Sequence, residues 1–174
     1  AIMLQQLNRA DFEKVYALMD ESFPPDEHRP SSEQEALLDD EAYRILVLPA
    51  PDGEVQGFFA VWEFDACLYV EHFAVNPAFR NGGVGSRMLA ELLETAGKPV
   101  CLEVELPETE MARRRIGFYQ RSGFVLNPYP YVQPPISAGR NPLPLAIMSA
   151  PRAIGPEEFE EFRRLVYTRV YKQG

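Results

Sequence analysis

Tyr69-Val70-Glu71-His72-Phe73-Ala74-Val75-Asn76-Pro77-Ala78-Phe79-Arg80-Asn81-Gly82-Gly83-Val84-Gly85-Ser86-Arg87-Met88-Leu89 decides how the rest of the chain is read. Its first seven residues are β-rich, and Asn76-Pro77 breaks the run. From Val84 the apolar residues Met88, Leu89, Leu92 and Leu93 recur at helical spacing, and Gly97 closes that helix. Arg80-Asn81-Gly82-Gly83-Val84-Gly85-Ser86 therefore links a strand to a helix start, where free amides and the helix dipole suit an anion such as a pyrophosphate. A Cβ in such a loop would hold phosphate oxygens away from the N–H groups and forbid the positive φ values that a nest needs. Alone, the loop reads equally as a glycine-rich surface turn. The chain has no G-x-x-x-x-G-K-[ST], and the third glycine of G-x-G-x-x-G is missing after Gly83 and Gly85, which removes nucleotide-triphosphate and nicotinamide readings.

Outward from the loop, strands alternate with helices. A strand is expected over 2–7 and a helix over 11–22, with Phe12, Val15, Tyr16 and Met19 on one face and Pro24-Pro25 beyond it. Ser31 and Ser32 can cap a helix over 31–38. Strands at 43–48 and 55–64 flank Pro51-Asp52-Gly53-Glu54 as a hairpin. Strands follow at 66–75 and 99–106, then a helix with Pro107 in its first turn that ends at Gly123. Strands near 124–126 and 143–149 bracket a proline-rich stretch read as an ordered loop, and a last helix spans 156–171. This is an α/β domain over 3–150 with a C-terminal helical extension, 151–174, packed on it.

Composition narrows the function. The chain has 174 residues, 46% of them hydrophobic, enough for one domain with its own core. The net charge of -9 argues against nucleic acid, whose binders need a basic face. No apolar run reaches the roughly 18 residues of a membrane span, and no signal peptide is seen, so a cytoplasmic protein without a membrane partner is expected. Two cysteines, Cys67 and Cys101, sit in apolar runs, and with only two histidines no metal-ligand spacing arises, so no metal is expected.

A second motif, Gly117-Phe118-Tyr119-Gln120-Arg121-Ser122-Gly123-Phe124, lies one strand and one helix after the loop. With Arg80, Gly83 and Gly85 matching Arg/Gln-x-x-Gly-x-Gly/Ala, the chain resembles the GCN5-related N-acetyltransferase (GNAT) family in element order from Met3 to about Ser149. The resemblance implies a mixed, mostly antiparallel twisted sheet flanked by helices, and acetyl-coenzyme A (acetyl-CoA) as co-substrate. It places the pantetheine arm on the backbone of Phe73, Ala74 and Val75, and the pyrophosphate on Arg80, Asn81, Gly82, Gly83, Val84, Gly85 and Ser86. The family's asparagine seven residues before the tyrosine is Ala112 here. The chemistry implied is direct acetyl transfer to a primary amine, a small molecule or a peptide. The competing reading is a catalytically idle acyl-CoA-binding or dimerisation module on the same fold, and homodimerisation is left open.

An alkylamine is only about one part in two thousand neutral at pH 7, so the reaction needs a base. Period-two alternation puts Glu71 on the same face as Phe73 and Val75, with His72 opposite and ranked behind it. Glu103, with Glu105 on the same face, resembles the position of a carboxylate base in some family members. The plain reading of either carboxylate is a solvent-facing or helix-paired group. Tyr119 is the matched acid for the departing thiolate, against a plain core role beside Phe118 and Phe124. The acceptor pocket is expected in 23–32, which holds Asp26 and Glu27, and in 127–144, with Tyr129 and Tyr131 as candidate walls.

Overall fold

Eight strands form one sheet in the computed structural model, which describes residues 4–173. They are β1 (Gln5–Gln6), β2 (Tyr43–Pro49), β3 (Val55–Glu63), β4 (Leu68–Val75), β5 (Val100–Glu105), β6 (Val125–Leu126), β7 (Tyr131–Gln133) and β8 (Leu143–Ala150). Their order is β1-β2-β3-β4-β5-β8-β6, with β7 also on β8, and only β4 and β5 run parallel. The helices are α1 (Phe12–Ser22), α2 (Ser31–Ala36), α3 (Val84–Ala96), α4 (Glu110–Arg121) and α5 (Pro156–Leu165).

The apolar stripes of the helices divide them between the two faces of the sheet. Phe12, Val15 and Met19 of α1 and Phe159 and Phe162 of α5 join Phe58, Ala60, Trp62 and Tyr69 in one core. Met88, Leu89 and Leu92 of α3 and Ile116 of α4 join Phe59, Val61 and Leu102 in the other. Close approach of α3 requires Gly57, where a Cβ would lie 2.8 Å from the Met88 sulfur and 2.9 Å from the Ala74 carbonyl oxygen.

The mixed, mostly antiparallel sheet is the architecture expected, and several boundaries differ for local reasons. Ser31 is the first residue of α2 and Pro30 precedes it, so neither serine caps by its side chain. Thr109, rather than the turn at Pro107, starts α4, its hydroxyl accepting from the Ala112 amide at 3.0 Å. The proline-rich stretch contains β7, because Tyr131 to Gln133 find an open edge of β8. The last helix changes to a π turn over Val166–Val170 and ends at Tyr171. Of the strand expected at 2–7, residues 2 and 3 lie outside the described residues.

Candidate active site

The parallel pair makes the site. β4 and β5 pair only from Leu68 to Val70 and from Val100 to Leu102, then part. β5 continues against β8, and β4 against β3, so beyond Val70 the β5-facing backbone edge of β4 has no strand partner. A bulge accompanies the split: Ala60 opposes His72 and Val61 opposes Val70, leaving Glu71 without an opposite residue. Bulges of this kind bend a strand and raise its twist. A cleft of about 590 Å³ fills the fork, and the catalytic and coenzyme-binding residues proposed from the sequence line it except Gly82, whereas Asp26, Tyr129 and Tyr131 of the expected acceptor pocket do not.

At the loop end, Gly83 is left-handed (φ +74) immediately before α3, and Asn81 also has positive φ (71). The first amides of a helix lack intrahelical acceptors, so those of Val84, Gly85 and Ser86 point along the helix axis into the cleft. Gly85 is needed for space, since a Cβ there would come within 3.3 Å of Phe118 and 3.4 Å of Val75. Arg80 Nε donates to the Val75 carbonyl at 3.3 Å and Arg87 to the Gly82 carbonyl at 2.8 Å, which tie the loop to its flanks. Phe73 and Phe118, stacked on one another with buried Phe59 behind Phe73, line the cleft between these amides and the fork. An unpaired strand edge, a glycine cradle and first-turn amides fit the pantetheine and pyrophosphate of a coenzyme A.

At the fork, Glu103 faces three phenols. Tyr69 donates to its Oε1 at 2.6 Å, Tyr131 donates to Oε2, and Tyr171 donates to the two oxygens at 2.8 and 3.0 Å. Burial pushes this carboxyl up to about 7, while the three hydroxyls pull it down and the charge of Glu71 adds to the rise. A carboxyl near neutrality can be ionised to take a proton and then release it.

Glu71 is a correction. The bulge reverses the alternation, so its side chain lies opposite Phe73 and Val75, on the Trp62 side of the sheet. It is fully shielded from solvent, accepts from Trp62 Nε1 at 2.8 Å and lies 2.9 Å from a nitrogen of buried Arg29. His72 lies on that same side, T-stacked on Phe23 and hydrogen bonded through Nε2 to the Glu27 carbonyl at 2.6 Å, and burial lowers its pKa.

Tyr119 lies in the cleft wall among Phe73, Phe118 and Phe124, and its hydroxyl bonds to none of the described residues. Burial pushes the phenol up to about 12, opposed by the charge of Arg115, so it holds its proton at neutral pH. Of the two candidate pocket walls, Tyr131 meets Glu103, whereas Tyr129 stacks on Phe159 and donates to the Ile154 carbonyl. Glu27 and Glu105 border the cleft further out, and Arg115 lies 3.8 Å from Glu105. Asp26 instead binds the Asn141 amide.

Tyr69 and Tyr171 were not among the sequence candidates. Tyr69 had a local signal, since it lies two residues before Glu71 inside the deciding stretch. Tyr171 follows the last helix and had none. Among the described residues no cluster of three or more His, Cys, Asp or Glu could hold a metal ion, and no helix is long and apolar enough to cross a membrane.

Residues 12–124 match the model of the acetyltransferase (GNAT) family. A solved GNAT-family protein from Bacteroides thetaiotaomicron is similar over 99% of this chain and 100% of its own, with 38% identity and a TM-score of 0.91. A mutant spermidine N-acetyltransferase from Vibrio cholerae shares the fold at 18% identity and a TM-score of 0.63, over 85% of this chain and 94% of its own. The spermidine N-acetyltransferase of that organism in complex with CoA and spermine aligns at 17% identity and a TM-score of 0.62, again over 85% and 94%. No curated protein matches the chain. A family match across most of the chain, and a relative alike from end to end, agree with the forked strands and the glycine loop: the chain belongs to the GNAT acetyltransferase family.

Proposed function

We propose that the protein transfers an acetyl group from acetyl-CoA directly to a primary amine, with both substrates bound together in the cleft between β4 and β5. One observation carries this reading: a carboxyl poised near neutrality stands at the fork into which the glycine loop and the open edge of β4 also lead. Acetyl-CoA supplies a thioester whose carbonyl carbon is attacked by the neutral amine nitrogen. Glu103 takes the proton that the nitrogen loses as the C–N bond forms. A backbone amide on the open edge of β4 faces the oxygen charge that develops on the carbonyl. Tyr119 donates a hydrogen bond to the sulfur as the C–S bond breaks. Its phenol at about 12 is a weaker acid than an ordinary thiol near 8.5, so it holds and stabilises the thiolate more than it gives up its proton. Glu27, Glu103 and Glu105 border the acceptor side of the cleft, which steers in a cationic amine that gives its ammonium proton to solvent before the neutral nitrogen attacks. Polyamines such as spermidine, the substrate named for the Vibrio cholerae neighbours, belong in the first acceptor panel.

Acetyl-CoA should raise the melting temperature and NAD should not. At a hundred times its Kd a ligand adds about 2.7 kcal/mol, several degrees for a domain of this size. Amine-dependent release of free thiol should then follow with at least one member of a panel of polyamines, arylalkylamines and peptide N-termini. A shift without turnover on any amine would favour the idle-module reading, and no shift with millimolar acetyl-CoA would end the cofactor assignment.

A further inference from the structure

Three phenols face one carboxylate, and when that carboxyl is protonated its new O–H must find an acceptor among them. An ionised Glu103 accepts from Tyr69, Tyr131 and Tyr171 together. Once protonated, one of its oxygens becomes a donor and needs an acceptor, and one phenol must send its own proton elsewhere. Tyr131 hydrogen bonds only to Glu103 among the described residues, and the second partner of Tyr69 is the Tyr171 oxygen at 3.0 Å, so a proton displaced from either route is passed on through Tyr171. Tyr171 has a second acceptor: its oxygen lies 3.2 Å from Gln133 Oε1. The direction of that amide is set, because Gln133 Nε2 donates to the Asp26 carbonyl at 3.1 Å and so leaves Oε1 facing Tyr171. Gln133 and Tyr171 are each 4% exposed, so water does not readily replace either partner.

We propose that Tyr171, carried by the chain's last turn, is a positioning residue for Glu103 and works as a hydrogen-bond switch. Its hydroxyl proton points at the carboxylate while Glu103 is ionised, and turns to Gln133 Oε1 when Glu103 takes up a proton. In the second state Glu103 donates to the Tyr171 oxygen and Tyr171 donates to Gln133, a continuous chain formed by rotation about one C–O bond with no heavy atom moved. Both protonation states of Glu103 are then fully hydrogen bonded, which lets the carboxyl cycle between them without leaving a buried donor stranded.

The other groups facing this cluster are fixed by partners of their own. From β4 come Tyr69 and Glu71, the latter paired with Arg29 from the segment before α2. Tyr131 comes from β7, and Tyr167 from the C-terminal turn donates to the Val132 carbonyl. Glu27, Glu105 and Arg115 lie along the cleft.

The catalytic meaning of the switch rests on Glu103 being the base, but the switch itself can be read without any substrate. The test is the titration midpoint of Glu103, followed by the side-chain carboxyl ¹³C shift in glutamate-labelled protein and assigned by the signal lost in Glu103→Gln. Tyr171→Phe removes a donor to the ionised form, so the midpoint should rise, by about one pH unit for one hydrogen bond to a charged group. Gln133→Met removes the acceptor that serves the protonated form, so the midpoint should fall. In the Tyr171→Phe background, Gln133→Met should have no further effect, because no rotor remains to be stranded. Shifts of both single variants in the same direction, or an unmoved midpoint in Tyr171→Phe, would overturn the proposal. Should Gln133→Met melt well below wild type, Gln133→Leu gives the same test, and the Tyr171→Phe arm stands alone because the ring that fills the core is kept. A midpoint that behaves as described while Glu103→Gln retains full turnover would leave the switch intact and reject Glu103 as the base.

Discussion

The two ends of the cleft are built in opposite ways. The glycine loop is made by neighbours in sequence: Arg80 to Ser86 present backbone N–H groups, and the side chains there mainly hold the loop in shape. The Glu103 end is made by strangers in sequence, with Tyr69, Glu103, Tyr131, Gln133 and Tyr171 arriving from β4, β5, β7 and the final turn. A loop of amides can bind an anion but has no titratable group to exchange a proton. A carboxyl among phenols can exchange a proton but presents no cradle for a phosphate. Binding of the coenzyme and chemistry on the amine should therefore fail separately under mutation.

The sharpest break is Glu103→Gln. It keeps size but cannot take a proton, so kcat should fall about a hundred- to ten-thousand-fold, the usual contribution of a general base. Acetyl-CoA affinity from calorimetric titration should stay near wild type. Equal loss of both would mean that the two ends do not act apart. Gly83→Val tests the other end. A β-branched residue is strained at φ +74, so the loop amides should lose their alignment, and acetyl-CoA should bind about a hundredfold more weakly if two charge-assisted hydrogen bonds are lost. The fold should persist, as shown by far-UV circular dichroism, and retained tight binding would make the loop only a turn. Tyr119→Phe should have the smallest effect, a fall in kcat of about ten- to a hundredfold as for one lost hydrogen bond to a charged group, because a thiolate leaves tolerably without help. Its acetyl-CoA affinity and melting temperature should hold, since the ring still packs beside Phe118 and Phe124. Unchanged kcat with chemistry limiting turnover would reduce Tyr119 to a core aromatic.

The same contrast explains what could be read before the structure. Strand, glycines and helix start fall within twenty-one consecutive residues, so local chemistry announces them, and Gly85 proves to be required by the approach of Phe118. Glu103 was visible as a buried-strand carboxylate, but its phenol shell was not, because register among β4, β5, β7 and β8 assembles it. Glu71 was misplaced by a single extra residue: alternation holds on each side of the bulge and flips across it, and no residue type in Val70-Glu71-His72 marks the spot. Tyr171 was hidden for a different reason. A π turn ends the last helix, and its side chain is aimed by packing of Val166 and Val170 into the core rather than by a local motif.

The most direct test of the account is the pH dependence of kcat/KM for wild type and Glu103→Gln with the best amine from the panel. Below about pH 7 Glu103 is protonated and cannot accept, so the wild-type rate should rise with pH through a limb near 7. In Glu103→Gln that limb should vanish, leaving a lower rate that climbs only with the neutral fraction of the amine. A limb near 7 that survives unchanged in Glu103→Gln would contradict the assignment of the base, and with it the proposal that chemistry resides where β4 and β5 part.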